Sequence, residues 1–240
     1  MKKTLLKIIL IIGLNSNLYA DTPWNEAFIE FDIKKAEKLL AQDITMYGEK
    51  SNEVAIAYNI LGLILNAKKD YSNAITYFNK SLAITKNIQI DKQDLDTMEV
   101  SYQNLGAAYF DLKEYKNALT NYKKVLKYRK NPKSINHDKI WMVLTNIAQT
   151  HFKLENFGKS REYYLKAYEN TSKLANRMQI FILLAELSEK SKDYKTAIIC
   201  YSALSSMANT FENKTPEVIQ GIAEWDTRAK ELQKLLKKNK

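Results

Sequence analysis

Large apolar, small and aromatic residues recur four times along the chain in one fixed order. Each copy begins with a large apolar residue followed directly by a small one. Counted from the large residue, an aromatic follows at position +10, a small residue at +13 and a second aromatic at +17. Spacings of three and four are typical of one face of an α-helix. The pattern predicts helix pairs that stack by burying their apolar faces against one another. The four copies are marked by Leu61-Gly62, Leu105-Gly106, Ile147-Ala148 and Leu184-Ala185.

This order resembles the tetratricopeptide repeat (TPR), a helix-turn-helix unit of 34 residues. Small residues let helix A and helix B of one unit approach closely, while aromatics fill the flanking space. Successive turn aromatics lie 44, 42 and 37 residues apart, so longer helices or connections are expected. The resemblance implies an all-α fold, a right-handed TPR helix-turn-helix solenoid of about four full repeats with helical caps. The small residue of helix B is Ala74, Ala118, Ser160 and Ala197 in the four copies.

The regular pattern ends before both termini, which suggests caps on one elongated domain. Thr22-Pro23 and Thr215-Pro216 each combine a capping residue with a proline suited to a first helical position. After Pro216 apolar residues around Trp225 recur at helical spacing, which predicts a helix that covers the last repeat. A partner helix or a membrane surface is the alternative use of that stripe. The predicted organisation is a signal peptide over 1–20, a helical cap or degenerate repeat over 21–48, four TPR-like repeats over 49–214 and a capping helix with a basic tail over 215–240.

The first 20 residues have the pattern of a secretory signal peptide. Lysines at the start precede an apolar run from Leu5 to Leu14, and Ala20 supplies a small residue for cleavage. The run contains Lys7 and is shorter than the roughly 20 residues that a spanning helix needs, so an uncleaved anchor is the less favoured alternative. The segment and the abundance of Lys, Asn and Ile predict an exported bacterial protein, periplasmic after cleavage following Ala20, with no integral membrane span in the mature chain.

The chain is basic, with a formal net charge of +10. Cleavage would remove Lys2, Lys3 and Lys7 and leave +7. A basic excess suits nucleic acid, anionic membranes or acidic partners, but an exported chain rarely meets nucleic acid, so no nucleic-acid partner is predicted. The densest cluster, from Lys230 to Lys240, is either a solvated helix end that complements the helix dipole or a surface for anionic lipid or an acidic partner.

No motif in the sequence indicates catalysis, a metal site or a cofactor. The two histidines are His137, in a polar connector, and His151, at a packing position of copy three. Neither belongs to a paired metal spacing, a glycine-rich phosphate loop or a nucleophile elbow. The single cysteine, Cys200, falls on helix B of copy four and is expected to be buried. The sequence therefore favours a non-enzymatic protein.

The resemblance places binding in the concave groove that helix A of each repeat lines. Family members that clamp a C-terminal carboxylate use lysine and arginine there, whereas this chain has amides and aromatics, so a clamp of that type is not expected. The groove is expected to hold a protein or peptide segment instead. The candidate partner-binding residues are Asn59, Asn66, Gln103, Asn104, Phe110, Asn146, Gln149 and Phe152.

Two pairs of these residues share a register position in adjacent repeats. Asn104 and Asn146 resemble the asparagine ladders with which some relatives hold the backbone of an extended peptide. The alternative is that each amide bonds only the neighbouring helix. Phe110 and Phe152 are expected as neighbours that anchor an apolar side chain, unless both fill space between repeats.

These features favour a scaffold or assembly factor of the bacterial envelope that binds a segment of another protein. A regulator that responds to a diffusible peptide is the alternative, as is an accessory subunit of an envelope enzyme complex. The oligomeric state cannot be derived from the sequence.

We predict that the mature protein begins at Asp21. Mass spectrometry of the protein recovered from the envelope fraction of the producing cells tests this. Recovery of the full-length chain from a soluble cytoplasmic fraction would contradict export and would make nucleic acid a possible partner again.

Overall fold

The computed structural model describes residues 23–87, 92–131 and 136–238, which leaves the predicted signal peptide outside the described residues. In these ranges the secondary structure is helical, with eleven α-helices, a short 3-10 helix at His137–Lys139 and no β-strand, so the all-α class is confirmed. The α-helices are α1 (Pro23–Glu30), α2 (Ile33–Tyr47), α3 (Asn52–Ala67), α4 (Tyr71–Thr85), α5 (Lys92–Asp111), α6 (Tyr115–Arg129), α7 (Ile140–Lys153), α8 (Phe157–Glu169), α9 (Leu174–Lys190), α10 (Tyr194–Asn209) and α11 (Pro216–Lys238).

The chain divides into two compact units, Met1–Tyr128 and Arg129–Lys240. The sequence predicts one elongated domain, and the division lies at the start of the stretch that lengthens the spacing between copies two and three. That stretch contains Pro132, which cannot continue a helix. The first unit contains α1 to α6, except for Arg129 at the end of α6, and the second contains α7 to α11.

Five helical hairpins share one turn conformation. Each turn contains one residue with a positive φ, between 53° and 68°, in the left-handed region. The next residue donates its N–H to the carbonyl five positions earlier at 2.8 to 2.9 Å, which terminates the helix as in a Schellman motif. The turn before α2 follows this pattern although it lies outside the four copies. The left-handed residues are Phe31, Lys69, Lys113, Glu155 and Lys192.

The small positions are where the paired helices come closest. The small residues of helix B, Ala74, Ala118, Ser160 and Ala197, are all fully buried. In copy three the Ser160 hydroxyl donates to the Ala148 carbonyl of helix A at 2.8 Å. A Cβ atom built on Gly62 would lie 2.5 Å from the Phe78 ring, and one on Gly106 would lie 2.5 Å from the Tyr122 ring. The predicted close approach is present, and at Gly106 the neighbour is Tyr122 rather than the expected Ala118.

Helix α11 packs against α10 with the apolar stripe that the sequence predicts. Leu232 and Ala229 are buried and Trp225 is half-buried, whereas Ile219, outside the stripe, is 56% exposed. The two threonine-proline pairs mark helix starts as predicted, since α1 begins at Pro23 and α11 at Pro216. Copy four is thus covered by a helix whose described tail lysines are exposed.

We predict that Gly106→Leu destabilises the fold by about 1 to 3 kcal/mol or more, because the new side chain must displace the buried Tyr122 ring. Thermal or urea unfolding measures the cost. Gly158→Leu is the matched control, since no atom lies within 4 Å of a Cβ at that helical glycine. Equal melting temperatures for the two variants would contradict the close packing of α5 against α6 at Gly106.

Candidate functional site

Asn59 lies inside the first unit and not on the surface of a groove, since only 3% of the residue is exposed. Its Nδ2 donates to Ser81 Oγ at 3.0 Å and to Ser101 Oγ at 2.9 Å. The two hydroxyl oxygens are 2.9 Å apart. The amide therefore joins α3, α4 and α5 through two small serines. The placement of Asn59 among the partner-binding residues is not supported, because its donor is used between copies one and two.

The other candidate amides of the first unit, Asn66, Gln103 and Asn104, are half-buried on α3 and α5. Burial raises the pKa of Asp111, and a hydrogen bond with the Asn66 side chain lowers it in part. Asn66 Oδ1 and Asn104 Nδ2 are buried atoms that make no hydrogen bond within the described residues. A buried amide atom without a partner costs about 1 to 3 kcal/mol, and since neither atom is accessible, this cost belongs to the packing of α3 and α5 and does not mark an open binding position.

The two candidate phenylalanines are half-buried, and each packs against the first aromatic of its own helix B. The ring centroids of Phe110 and Tyr115 are 5.5 Å apart in an edge-on arrangement. Those of Phe152 and Phe157 are 6.0 Å apart and tilted by 48°. Each ring therefore packs within its own hairpin and keeps part of its surface accessible. The rings thus have features both of a packing residue and of an anchor for a partner side chain.

Phe110 and Asn104 belong to the first unit, whereas Phe152 and Asn146 belong to the second. The asparagine ladder and the paired phenylalanines would each connect the two units. Both juxtapositions therefore stay predictions. Within the second unit, Asn146, Gln149 and Phe152 follow one another along α7, and all three are half-buried.

An open pocket of about 410 Å³ lies in the second unit. Phe152 of α7 forms one side of it. The rest comes from copy four, with Glu186, Glu189 and Lys190 on α9 and Tyr201 on α10. Phe152 is thus brought together with charged side chains of the next repeat. The pocket combines an aromatic surface with carboxylates and an ammonium group, which suits a polypeptide segment with apolar and charged side chains.

Glu189 connects this pocket to the capping helix. Arg228 of α11 donates to both carboxylate oxygens of Glu189, at 3.0 Å for Nε, and Tyr201 donates its hydroxyl at 2.6 Å. Hydrogen bonding to the Arg228 guanidinium holds the pKa of Glu189 below its ordinary value, although burial raises it in part. Burial and the hydrogen bond to Glu189 raise the pKa of the Tyr201 hydroxyl. Glu189 is therefore an ionised acceptor that fixes α11 beside the pocket.

The other side chains that could act as a base or a nucleophile, His151 and Cys200, are packed in the interior. His151 is buried and stacks on Tyr163 with ring centroids 5.5 Å apart. Cys200 is buried as expected, and burial raises the pKa of its thiol to about 11, so it is a poor nucleophile. Among the described residues no group of His, Cys, Asp and Glu side chains could hold a metal ion. None of the described helices is both long enough and apolar enough to cross a bilayer.

The link between Glu189 and Arg228 is not predictable from the sequence. These residues are 39 positions apart on different helices, so no local spacing connects them. The resemblance to the family places Glu186 and Glu189 at positions of helix A that line the groove in copy four. The other copies have amides at such positions, so the acidic residues of copy four were the feature of the sequence that could have indicated a distinct role.

We predict that Arg228→Gln lowers the free energy of unfolding by about 1 to 2 kcal/mol, because Glu189 loses its charged donor in a partly exposed site. A carboxyl whose folded pKa is depressed contributes stability above its unfolded pKa and loses it as the pH falls through the folded pKa. The difference between variant and wild type should therefore shrink as the pH falls below the ordinary range of glutamate. Urea unfolding at neutral and acidic pH measures it, with Lys195→Gln as an exposed control. A difference that does not change with pH would contradict the role of Glu189.

Comparison with protein-family models matches residues 53–131 and 96–173 to the tetratricopeptide repeat. No curated protein matches the chain. The chain is similar to the crystal structure of BtubC (BKLC) from P. vanneervenii, with 18% identity and a TM-score of 0.63 over 89% of this chain and 87% of that one. It is also similar to the crystal structure of the apo form of RapI, with 18% identity and a TM-score of 0.65 over 78% of this chain and 68% of that one. At these identities the similarity shows the fold.

The two overlapping family matches together span about half of the chain. They include the hairpins of copies two and three and all but the first residue of the hairpin of copy one. The repeated turns, the close approach at the small positions and the family match agree, and the chain belongs to the tetratricopeptide repeat family.

Proposed function

We propose that the chain is a non-enzymatic scaffold or assembly factor of the bacterial envelope that binds a segment of a partner protein along the groove faces of its helix A residues. The TPR fold supports protein binding in general. The observation that carries the proposal is the open pocket of about 410 Å³ beside Phe152. An aromatic that is half-buried in an open pocket is typical of a site that anchors a partner side chain.

The half-buried amides of the first unit are suited to main-chain binding. An amide side chain has both a donor and an acceptor, although Asn66 Oδ1 and Asn104 Nδ2 are themselves buried and not open to a partner. An extended peptide presents both kinds of group at short intervals, so it can pair with such amides without a strict requirement on its side chains. Export to the periplasm is part of the proposal and rests on the signal-peptide pattern of residues 1–20.

We predict that Phe152→Ala abolishes partner capture while most of the stability remains. The ring is half-buried, so its truncation should cost about 1 to 2 kcal/mol, below the roughly 3 to 5 kcal/mol of a fully buried phenylalanine. A photo-reactive residue at Gln149, one turn from Phe152 on α7, captures the partner in intact cells. The same residue at Lys195, exposed on α10, reports background capture.

Phe157→Ala is the matched control for this substitution. It removes the same aromatic pair but leaves the Phe152 ring in the pocket. Capture should therefore persist in Phe157→Ala at a comparable loss of stability. Equal capture by wild type and Phe152→Ala would show that the pocket does not bind the partner, and unfolding by Phe152→Ala alone would show that this ring is core.

One contact favours the alternative of a peptide-responsive regulator. Glu189 lines the pocket and also holds Arg228 of α11, so a ligand that binds Glu189 would compete with the capping helix. Hydrogen exchange on α11 separates the two functions. Loss of protection in α11 when the captured segment is added favours the regulator, whereas unchanged protection favours a scaffold.

A further inference from the structure

The charges of the first unit are distributed unevenly between its helices. Helix α6 contains four lysines and one arginine and no acidic residue, and α4 contains one lysine and no acidic residue. The carboxylate closest to α6 in sequence is Glu114, which precedes the helix and accepts a hydrogen bond from Asn117. Both are B helices of their repeats. Their side chains therefore contribute positive charge with no carboxylate on the same helix to compensate it.

Three lysines form an exposed stripe along α6. Lys116, Lys123 and Lys127 are separated by seven and four residues, so they lie on one face of the helix. All three are exposed, and none makes an ion pair in the described part of the chain. At 1.5 Å per residue the stripe is roughly 16 Å long. Exposed Lys113 and Lys130 lie just beyond its two ends.

Further lysines converge on a tyrosine next to this helix. Lys124 of α6 and Lys86, which follows α4, lie 4.5 and 5.9 Å from the centroid of the Tyr102 ring. The two ammonium groups are therefore within about 10 Å of each other, a distance comparable with the Debye length in physiological salt. The electron-rich face of Tyr102 partly offsets their repulsion. An anionic group on this side of the unit would reduce it further.

We propose that this basic surface, defined by Lys86, Lys116, Lys123, Lys124 and Lys127, docks the protein on an anionic phospholipid membrane. The charged groups are lysines, which interact as point charges, whereas recognition of one specific carboxylate or phosphate favours the planar fork of arginine. Lysines spaced along one exposed helix face suit an extended array of equivalent headgroups. Each lysine near an anionic leaflet contributes to binding independently of headgroup geometry. This surface is separate from the proposed groove and does not depend on it.

Sedimentation with lipid vesicles tests the proposal, using the chain as recovered from the producing cells. The chain should bind vesicles of equimolar phosphatidylglycerol and phosphatidylcholine, and bind vesicles of phosphatidylcholine alone much more weakly. High salt should weaken the binding. The triple variant Lys116→Gln, Lys123→Gln and Lys127→Gln should reduce the partition coefficient by about a hundredfold. Its circular dichroism should match that of the wild type, since glutamine preserves helix propensity.

A second triple variant has the same change in net charge elsewhere in the first unit. Lys34→Gln, Lys38→Gln and Lys50→Gln neutralise exposed lysines outside α4 and α6, and this variant should keep most of the binding. Equal losses in the two variants would overturn the proposal, because net charge alone would then drive adsorption. Failure to bind the anionic vesicles would overturn it too, as would binding to polyglutamate or duplex DNA without binding to vesicles.

Discussion

The close approach of helix A and helix B inside each repeat is the constraint on which the described structure depends. At Gly62 and Gly106 the rings of Phe78 and Tyr122 occupy the space that a Cβ would need. Copies three and four replace glycine by alanine, and in copy three the approach is close enough for Ser160 to bond the Ala148 carbonyl. Because the hairpins pack this tightly, side chains at the remaining helix A positions are held on a rigid surface. The candidate site is a consequence of that packing.

The hairpin turns have a backbone conformation that the sequence does not predict. Left-handed residues that end helices are usually glycine, whereas lysine, glutamate and phenylalanine hold the position here. A left-handed residue with a Cβ carries a conformational cost of about 1 to 2 kcal/mol, which the surrounding structure must offset. Aspartate after the turn helps in several cases, since Asp32, Asp70 and Asp193 cap the following helix through their side chains. Repetition of the turn residues predicts that the turns are alike without giving their dihedral angles.

The sequence predicts the fold better than the site because the two depend on different information. Fixed offsets between small and aromatic residues determine which faces meet, so Ala74, Ala118, Ser160 and Ala197 could be placed correctly from one chain. Site residues also depend on contacts between distant segments. Asn59 occupies a groove position in register, but Ser81 and Ser101 supply partners that turn it into a packing residue. The pairing of Glu189 with Arg228 depends on how α11 docks, which no periodicity encodes.

Charge separates the two surfaces that the proposals use. Helices α4, α6 and α10 contain no acidic residue, although α8, the other B helix, carries Glu162 and Glu169. The A helices α5 and α9 carry Asp111, Glu186 and Glu189. The pocket beside Phe152 contains Lys190 as well as Glu186 and Glu189, and Arg228 pairs with Glu189, so it lacks the excess of positive charge with which α6 would attract an anionic surface. A polypeptide segment with apolar and basic side chains has the opposite preference, since it gains from Phe152 and Glu186 and is repelled by α6. The proposed partner segment and the proposed anionic surface therefore select side chains of different charge on different helices.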